Sequence, residues 1–249
     1  MTEPRLPRKV FNERFYRIAD NRHKGTGTPA LLFCLHGNHG EIEGRGDIYS
    51  IVDIAKWQDL NEPLVVVYPE GILESWNSHK EPPLSPSEKA GTDDVKFLKD
   101  LSDHLKAEFG LNRFYITGIS NGGQMAYTYT NHHADTVTAL GVVASSWTDV
   151  HPMAPAVKVP LYHIHGAMDG FLAWDGDGFR NDTPILDDIT RWAVLNGGLT
   201  TTTTKLDGSK VFDGCLKTTK YRLLAFMGHE WRTDNWDSTA KLMEFFKVQ

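Results

Sequence analysis

Two nearly unbroken apolar runs, Leu31-Leu32-Phe33-Cys34-Leu35 and Leu64-Val65-Val66-Val67-Tyr68, most narrowly limit what this chain can fold into. A strand that is apolar on both faces must be covered on both, as a central strand of a parallel sheet is when helices flank it. The rest of the chain keeps this rhythm. Phe15-Tyr16-Arg17-Ile18 reads as an early antiparallel strand, Leu140 to Ala144 and Leu161 to Ile164 as further strands, and Tyr221 to Phe226 as the last. Between Thr92 and Phe109, residues Val95, Leu98, Leu101, Leu105 and Phe109 form one apolar helical face, opened by Thr92 or Asp93 and closed by Gly110. Ile185 to Asn196 and Asp237 to Phe246 read as two more helices. The expected class is α/β, a doubly wound and mostly parallel sheet with helices on both faces. Ser75 to Ala90 and Gly166 to Pro184 read as long surface loops, and Thr200 to Thr204 as an exposed strand.

At 249 residues the chain is long enough for one well-buried core, so a single domain over residues 1–249 is expected. A formal net charge of -6 and a pI near 6.0 leave no basic footprint for nucleic acid and argue against an anionic membrane as partner. No run approaches the roughly 20 apolar residues of a membrane span. Met1 to Lys9 is charged and contains proline, with no apolar core of a secretion signal, so a cytoplasmic protein is expected unless a signal was removed before position 1. Cys34 lies inside an apolar run, where it reads as a small buried hydrophobe; a single bridge to Cys215 stays open.

Function enters with Gly118-Ile119-Ser120-Asn121-Gly122, a G-x-S-x-G pentapeptide between the strand-like Arg113 to Thr117 and a helix-like stretch from Asn121 to Asn131. A serine at such a corner is held in a strained turn, its hydroxyl exposed at the top of a sheet, while the flanking glycines let strand and helix approach. A serine hydroxyl needs a histidine base, and that base needs a carboxylate to fix its tautomer. In doubly wound hydrolases these follow in the order Ser, acid, His. Asp169, just past the strand ending at Ile164, and His229, just past the strand ending at Phe226, supply that order. Asp149, Asp175 and Asp177 are rival acids lying farther from a strand end, and His163 and His165 read as packing or loop residues.

The oxyanion of acyl transfer needs two N–H donors. The backbone of Asn121 is one candidate, and Asn38 in the loop His36-Gly37-Asn38-His39-Gly40 is the other. His39, Trp76, Trp147, Trp174 and Trp231 fall in segments that should reach the same sheet edge and are the candidate substrate contacts. No metal and no cofactor is expected. Asp175-x-Asp177-Gly178 lacks the further ligands of a calcium loop, and the pairs His36/His39 and His163/His165 lack the helical spacing and acidic partners of a zinc site.

The chain resembles the α/β-hydrolase family of poly(3-hydroxybutyrate) depolymerases, feruloyl esterases and acetylxylan esterases. The matching pieces are Leu35-His36-Gly37, Val67-Tyr68-Pro69-Glu70-Gly71, Ser75-Trp76-Asn77, Asp93 to Phe97, Tyr115 to Gly123, His165 to Asp169 and Gly228-His229-Glu230-Trp231, in order along nearly the whole chain. The resemblance implies Ser120 as nucleophile, Asp169 as acid and His229 as base. It also implies a serine carboxylic-ester hydrolase of small or polymeric esters, feruloyl or acetylxylan-type first, with a polyhydroxyalkanoate depolymerase as the alternative. A serine peptidase and a non-catalytic binding protein of the same fold are more distant readings. Many members carry a cysteine where this chain has Asn38, and a longer Gly-rich run before the histidine than Met227-Gly228.

Overall fold

The computed structural model describes residues 6–39, 51–151, 158–176 and 183–249. Asp177 and Gly178, and with them one rival acid and half of the calcium-like motif, lie outside the described residues. Ten strands form one sheet: β1 (Arg8–Phe11), β2 (Arg14–Asp20), β3 (Ala30–Leu35), β4 (Leu64–Pro69), β5 (Phe114–Ile119), β6 (Ala139–Val143), β7 (Leu161–Gly166), β8 (Thr202–Thr204), β9 (Lys210–Phe212) and β10 (Thr219–Leu224), ordered β1-β2-β4-β3-β5-β6-β7-β10-β9-β8. The run from β4 through β3, β5, β6 and β7 to β10 is parallel, and antiparallel strands close both edges.

The two apolar runs are central strands, and their side chains alternate between two separate cores. Leu31, Phe33 and Leu35 of β3, with Val65 and Val67 of β4, join the core beneath helices α3 (Asp94–Phe109), α4 (Asn121–His132) and α5 (Ile185–Leu195). Leu32 and Cys34, with Leu64, Val66 and Tyr68, join the opposite core beneath the short α1 (Ile51–Ala55) and the closing α6 (Ser238–Phe246). Cys34 and Cys215 are both free thiols, which removes the open disulfide.

Cap chemistry sets the helix ends as read from sequence. The Asp93 side chain accepts from the Lys96 N–H, Gly110 closes α3 at φ 66°, and Asp237 caps α6 by accepting from the Thr239 and Ala240 N–H groups. Two readings need correction. The last parallel strand runs Thr219–Leu224, two residues earlier than its apolar content suggested, since its register against Leu161–Gly166 decides it. The segment from Ser75 is not a plain loop: it holds α2 (Pro86–Ala90), whose Ser85 and Glu88 form a capping box with Pro86 in the first turn. The Ser78 hydroxyl donates to Glu88 at 2.5 Å and Ser85 Oγ to the Trp76 carbonyl at 2.9 Å, so side chains order what backbone pairing does not. Among the described residues no helix is long and apolar enough to cross a membrane.

Candidate active site

At the C-terminal edge of the parallel strands, β5 turns into α4 through Ser120, which has φ 55° and ψ -127°, a backbone region L-residues seldom occupy. The turn is fixed from below: the Ser120 N–H lies 3.2 Å from the Val143 and Ala144 carbonyls, and its own carbonyl accepts from Ser145 Oγ at 2.7 Å. Glycine is required beside it. A Cβ on Gly122 would run into the carbonyl oxygens of Leu35 and His36, and one on Gly37 would stand 3.3 Å from Ser120 Cβ. The loop after β3 therefore passes directly against the serine.

His36 decides how that loop is held. Its Nδ1 is 2.7 Å from the Gly37 carbonyl, and its Nε2 accepts from the Gly71 N–H at 2.9 Å, so the proton sits on Nδ1 and both nitrogens are used. Full burial pushes the imidazole down to about 4, and it stays neutral. The Gly37 carbonyl and the Asn38 N–H belong to one peptide plane, so anchoring the first aims the second. Among the described residues neither the Asn38 nor the Asn121 backbone N–H donates a hydrogen bond. The Asn121 side chain has other work: it accepts from the Trp76 N–H at 2.7 Å and donates to the Trp76 carbonyl at 3.1 Å, clamping the segment before α2 onto the serine corner.

Asp169 and His229 come together from the loops after the paired strands β7 and β10, with His229 Nδ1 2.7 Å from Asp169 Oδ2. A carboxylate only accepts, so Nδ1 carries the proton and Nε2 is the basic nitrogen. The other carboxylate oxygen accepts from the Phe171 and Leu172 N–H groups, each at 2.9 Å. Burial opposes ionisation of Asp169, but the hydrogen bond and charge of His229 and the Leu172 N–H outweigh it and hold the carboxyl below its ordinary range. Gly166 permits the approach, because a Cβ there would meet the Met227 and Gly228 carbonyls. No hydrogen bond joins Ser120 Oγ to His229 among the described residues.

Behind the acid lies a buried chain that sequence reasoning treated as packing. His165 Nε2 is 2.7 Å from the Leu172 carbonyl, so it must donate; His165 Nδ1 then accepts from His163 Nε2 at 3.1 Å, and His163 Nδ1 accepts from the Tyr127 hydroxyl at 2.8 Å. Only one arrangement of protons satisfies all three contacts, with both imidazoles neutral. Burial lowers both histidines accordingly. His165 also stands 3.5 Å from Asp169 Oδ2 and backs the carboxylate.

The aromatic rim is not where the sequence suggested. Trp76, Trp147 and Trp231 are buried, each for a specific reason. The Trp76 indole donates to the His36 carbonyl at 3.0 Å, the Trp231 indole donates to Thr239 Oγ1 at 2.8 Å, and Trp147 stacks on Tyr127. Their indoles fill the core, so these three are withdrawn as substrate contacts. Trp174 is half-buried against His165 and Tyr221, while His39 is exposed beside Asn38. Apolar groups exposed next to the acid are instead Met168 and Phe171, flanking Asp169, with the Phe171 ring 5.3 Å from that of His229. Their position in the acid loop was readable, but their exposure was not. The rival acid Asp149 faces His79, His132 and His151, not His229.

No family model and no curated protein matches the chain. Solved structures do match in shape. An acetyl xylan esterase from Aspergillus awamori aligns with a TM-score of 0.62 at 12% identity, over 99% of this chain and 100% of that one. A carboxylesterase from Mesorhizobium loti aligns at 0.62 and 13% identity, over 97% and 99% of the two chains. An alpha-beta serine hydrolase homologue from Coxiella burnetii aligns at 0.54 and 13%, over 99% and 96%. Together with the strand order and the helices on both faces, these likenesses show the fold, and the chain has the α/β-hydrolase fold.

Proposed function

We propose that residues 1–249 form one catalytic domain, a serine carboxylic-ester hydrolase in which Ser120 is the nucleophile, His229 the base and Asp169 the acid that orients it. The observation that carries this reading is the 2.7 Å contact between His229 Nδ1 and Asp169 Oδ2, at the same end of the sheet as a serine with φ 55°. Ser120 Oγ attacks the ester carbonyl as His229 Nε2 takes its proton. The tetrahedral oxyanion is met by the Asn38 and Asn121 N–H groups, which no protein acceptor occupies among the described residues. His229 then gives its proton to the departing alcohol, leaving an acyl-Ser120. Water, deprotonated by His229, attacks that acyl group, and the acid leaves as Ser120 regains its proton. The chemistry needs no cofactor.

For substrate, a feruloyl or acetylxylan-type ester is the first reading, in keeping with the acetyl xylan esterase of similar shape. The aromatic ring of Phe171 beside His229 takes the role the buried tryptophans cannot. Exposed Met168 and Phe171 also suit an apolar polyester chain, which keeps a polyhydroxyalkanoate depolymerase as the second reading. The test compares the parent with Ser120→Ala on p-nitrophenyl acetate, methyl ferulate, acetylated xylan and hydroxybutyrate oligomers. The parent should hydrolyse at least one natural-type ester, and the variant should lose at least roughly 10³-fold in kcat. Equal rates in the two proteins would remove Ser120 from the mechanism.

A further inference from the structure

Where α4 ends, three histidines from separate parts of the chain converge on one carboxylate. His79 precedes α2, His132 is the last residue of α4, and Asp149 and His151 follow β6. One nitrogen or oxygen of each of the four residues lies within 4.8 Å of every other. Asp149 Oδ1 is 2.8 Å from His151 Nδ1 and 3.5 Å from His79 Nδ1, and its Oδ2 is 3.2 Å from His132 Nε2. Ligands held about 2.05 Å from a tetrahedral ion stand about 3.3 Å from one another, so the Asp149–imidazole separations are close to those of a coordination shell and the remaining ligand atoms, within 4.8 Å, need only a small inward shift. The three rings meet edge to face, with centroids 4.9 to 5.2 Å apart.

Hydrogen bonding alone does not account for the cluster. The Asp149 side chain has no exposed surface, and the Asn131 amide and the His151 backbone N–H already donate to it at 2.6 Å and 3.1 Å. Of the three imidazoles only His151 adds a hydrogen bond, through Nδ1 at 2.8 Å, whereas His132 Nε2 and His79 Nδ1 stand off at 3.2 and 3.5 Å. His79 Nδ1 is left buried and without a hydrogen-bond partner. With a cation at the centre that nitrogen is satisfied: the imidazoles turn lone pairs, not N–H groups, inward, and the carboxylate binds the ion directly.

We propose that His79, His132, Asp149 and His151 bind a divalent transition ion of the zinc type. Three imidazole nitrogens and one carboxylate oxygen suit zinc and its neighbours, whereas calcium and magnesium demand oxygen donors. Four protein ligands make a closed, structural shell. Asn131, buried and bonded to both Asp149 and the His151 carbonyl, is its supporting outer group. The site lies at the far end of the 12-residue α4 from Ser120, roughly 17 Å along the helix axis, so it pins loops and does not join the reaction. The sequence shows no metal motif because the four ligands come from three segments.

The test titrates the metal-stripped protein with Zn2+ against a chromophoric chelator, and with Co2+ followed by visible absorption. The parent should bind one equivalent and give the intense spectrum of four-coordinate cobalt, and saturating Zn2+ should raise Tm by roughly 5 °C. His132→Gln should weaken binding by roughly 100-fold or more. His151→Gln, whose side chain is 53% exposed and cannot be needed for the core, should do the same while folding normally. Absence of stoichiometric Zn2+ binding by the parent, or undiminished affinity in a folded His151→Gln protein, overturns the site.

Discussion

His36 illustrates how a residue that touches no substrate can set the geometry of one that does. Its two hydrogen bonds fix the Gly37–Asn38 peptide, and that peptide carries one of the two proposed oxyanion donors. His36→Gln should therefore lower kcat by roughly 10- to 100-fold with KM little changed, since the donor acts on the developing oxyanion and not on the bound ester. A rise in KM at constant kcat would show that the loop binds the ground state instead. Ser120, Asp169 and His229 could be put forward from the sequence because each lies in the first loop after a parallel strand, in the order Ser, acid, His. His36 was legible only as a letter in His36-Gly37, because its work depends on Gly71, 35 residues away. The tryptophans misled for a related reason. Their indoles turn inward on partners far along the chain: the His36 carbonyl for Trp76, Thr239 for Trp231, and the Tyr127 ring for Trp147.

At the scale of elements, the corner between β5 and α4 is a contact of backbone on backbone. Gly122 packs against the carbonyls of Leu35 and His36, which belong to a central strand and its rigid continuation and cannot move aside. Gly122→Ala should cost roughly 3 kcal/mol of stability and depress activity in the protein that still folds. A variant as stable and active as the parent would mean that strand and helix are looser than the structure has them. Central strands and long helices were readable from apolar periodicity and caps. The segment from Ser75 to Ala90 was not, because its order comes from side chains bonding to backbone across the turn. Ser85-Pro86-Ser87-Glu88 did carry the capping-box pattern that would have found α2.

Across the whole molecule, Asp188 couples α5 to the strand edge by accepting from the Trp147 N–H at 2.9 Å. Burial pushes its carboxyl up to about 7, against the pull of that N–H and of Arg191. The folded protein thus holds a proton on Asp188 that the unfolded chain releases near pH 4. The stability this group contributes is full below that pH and is lost as pH rises toward 7. Asp188→Asn should flatten the fall in stability over this window and exceed the parent at pH 8 by on the order of 2 kcal/mol, read from denaturant unfolding at several pH values. An unchanged pH dependence would mean that Asp188 is ionised in the folded state. Asp188 and the histidine cluster around Asp149 share the reason they escape the sequence: their chemistry is set by which distant segments enclose them.

A Ser120 activated for acyl transfer by His229 and Asp169 should react selectively with a covalent serine-hydrolase label. The folded protein is treated with a fluorophosphonate, and the modified residue is located by peptide mass spectrometry. A single adduct on Ser120 is expected, absent from Ser120→Ala and formed roughly 10³-fold more slowly in His229→Ala. An adduct on another serine, or labelling of Ser120 at the same rate without His229, would contradict it.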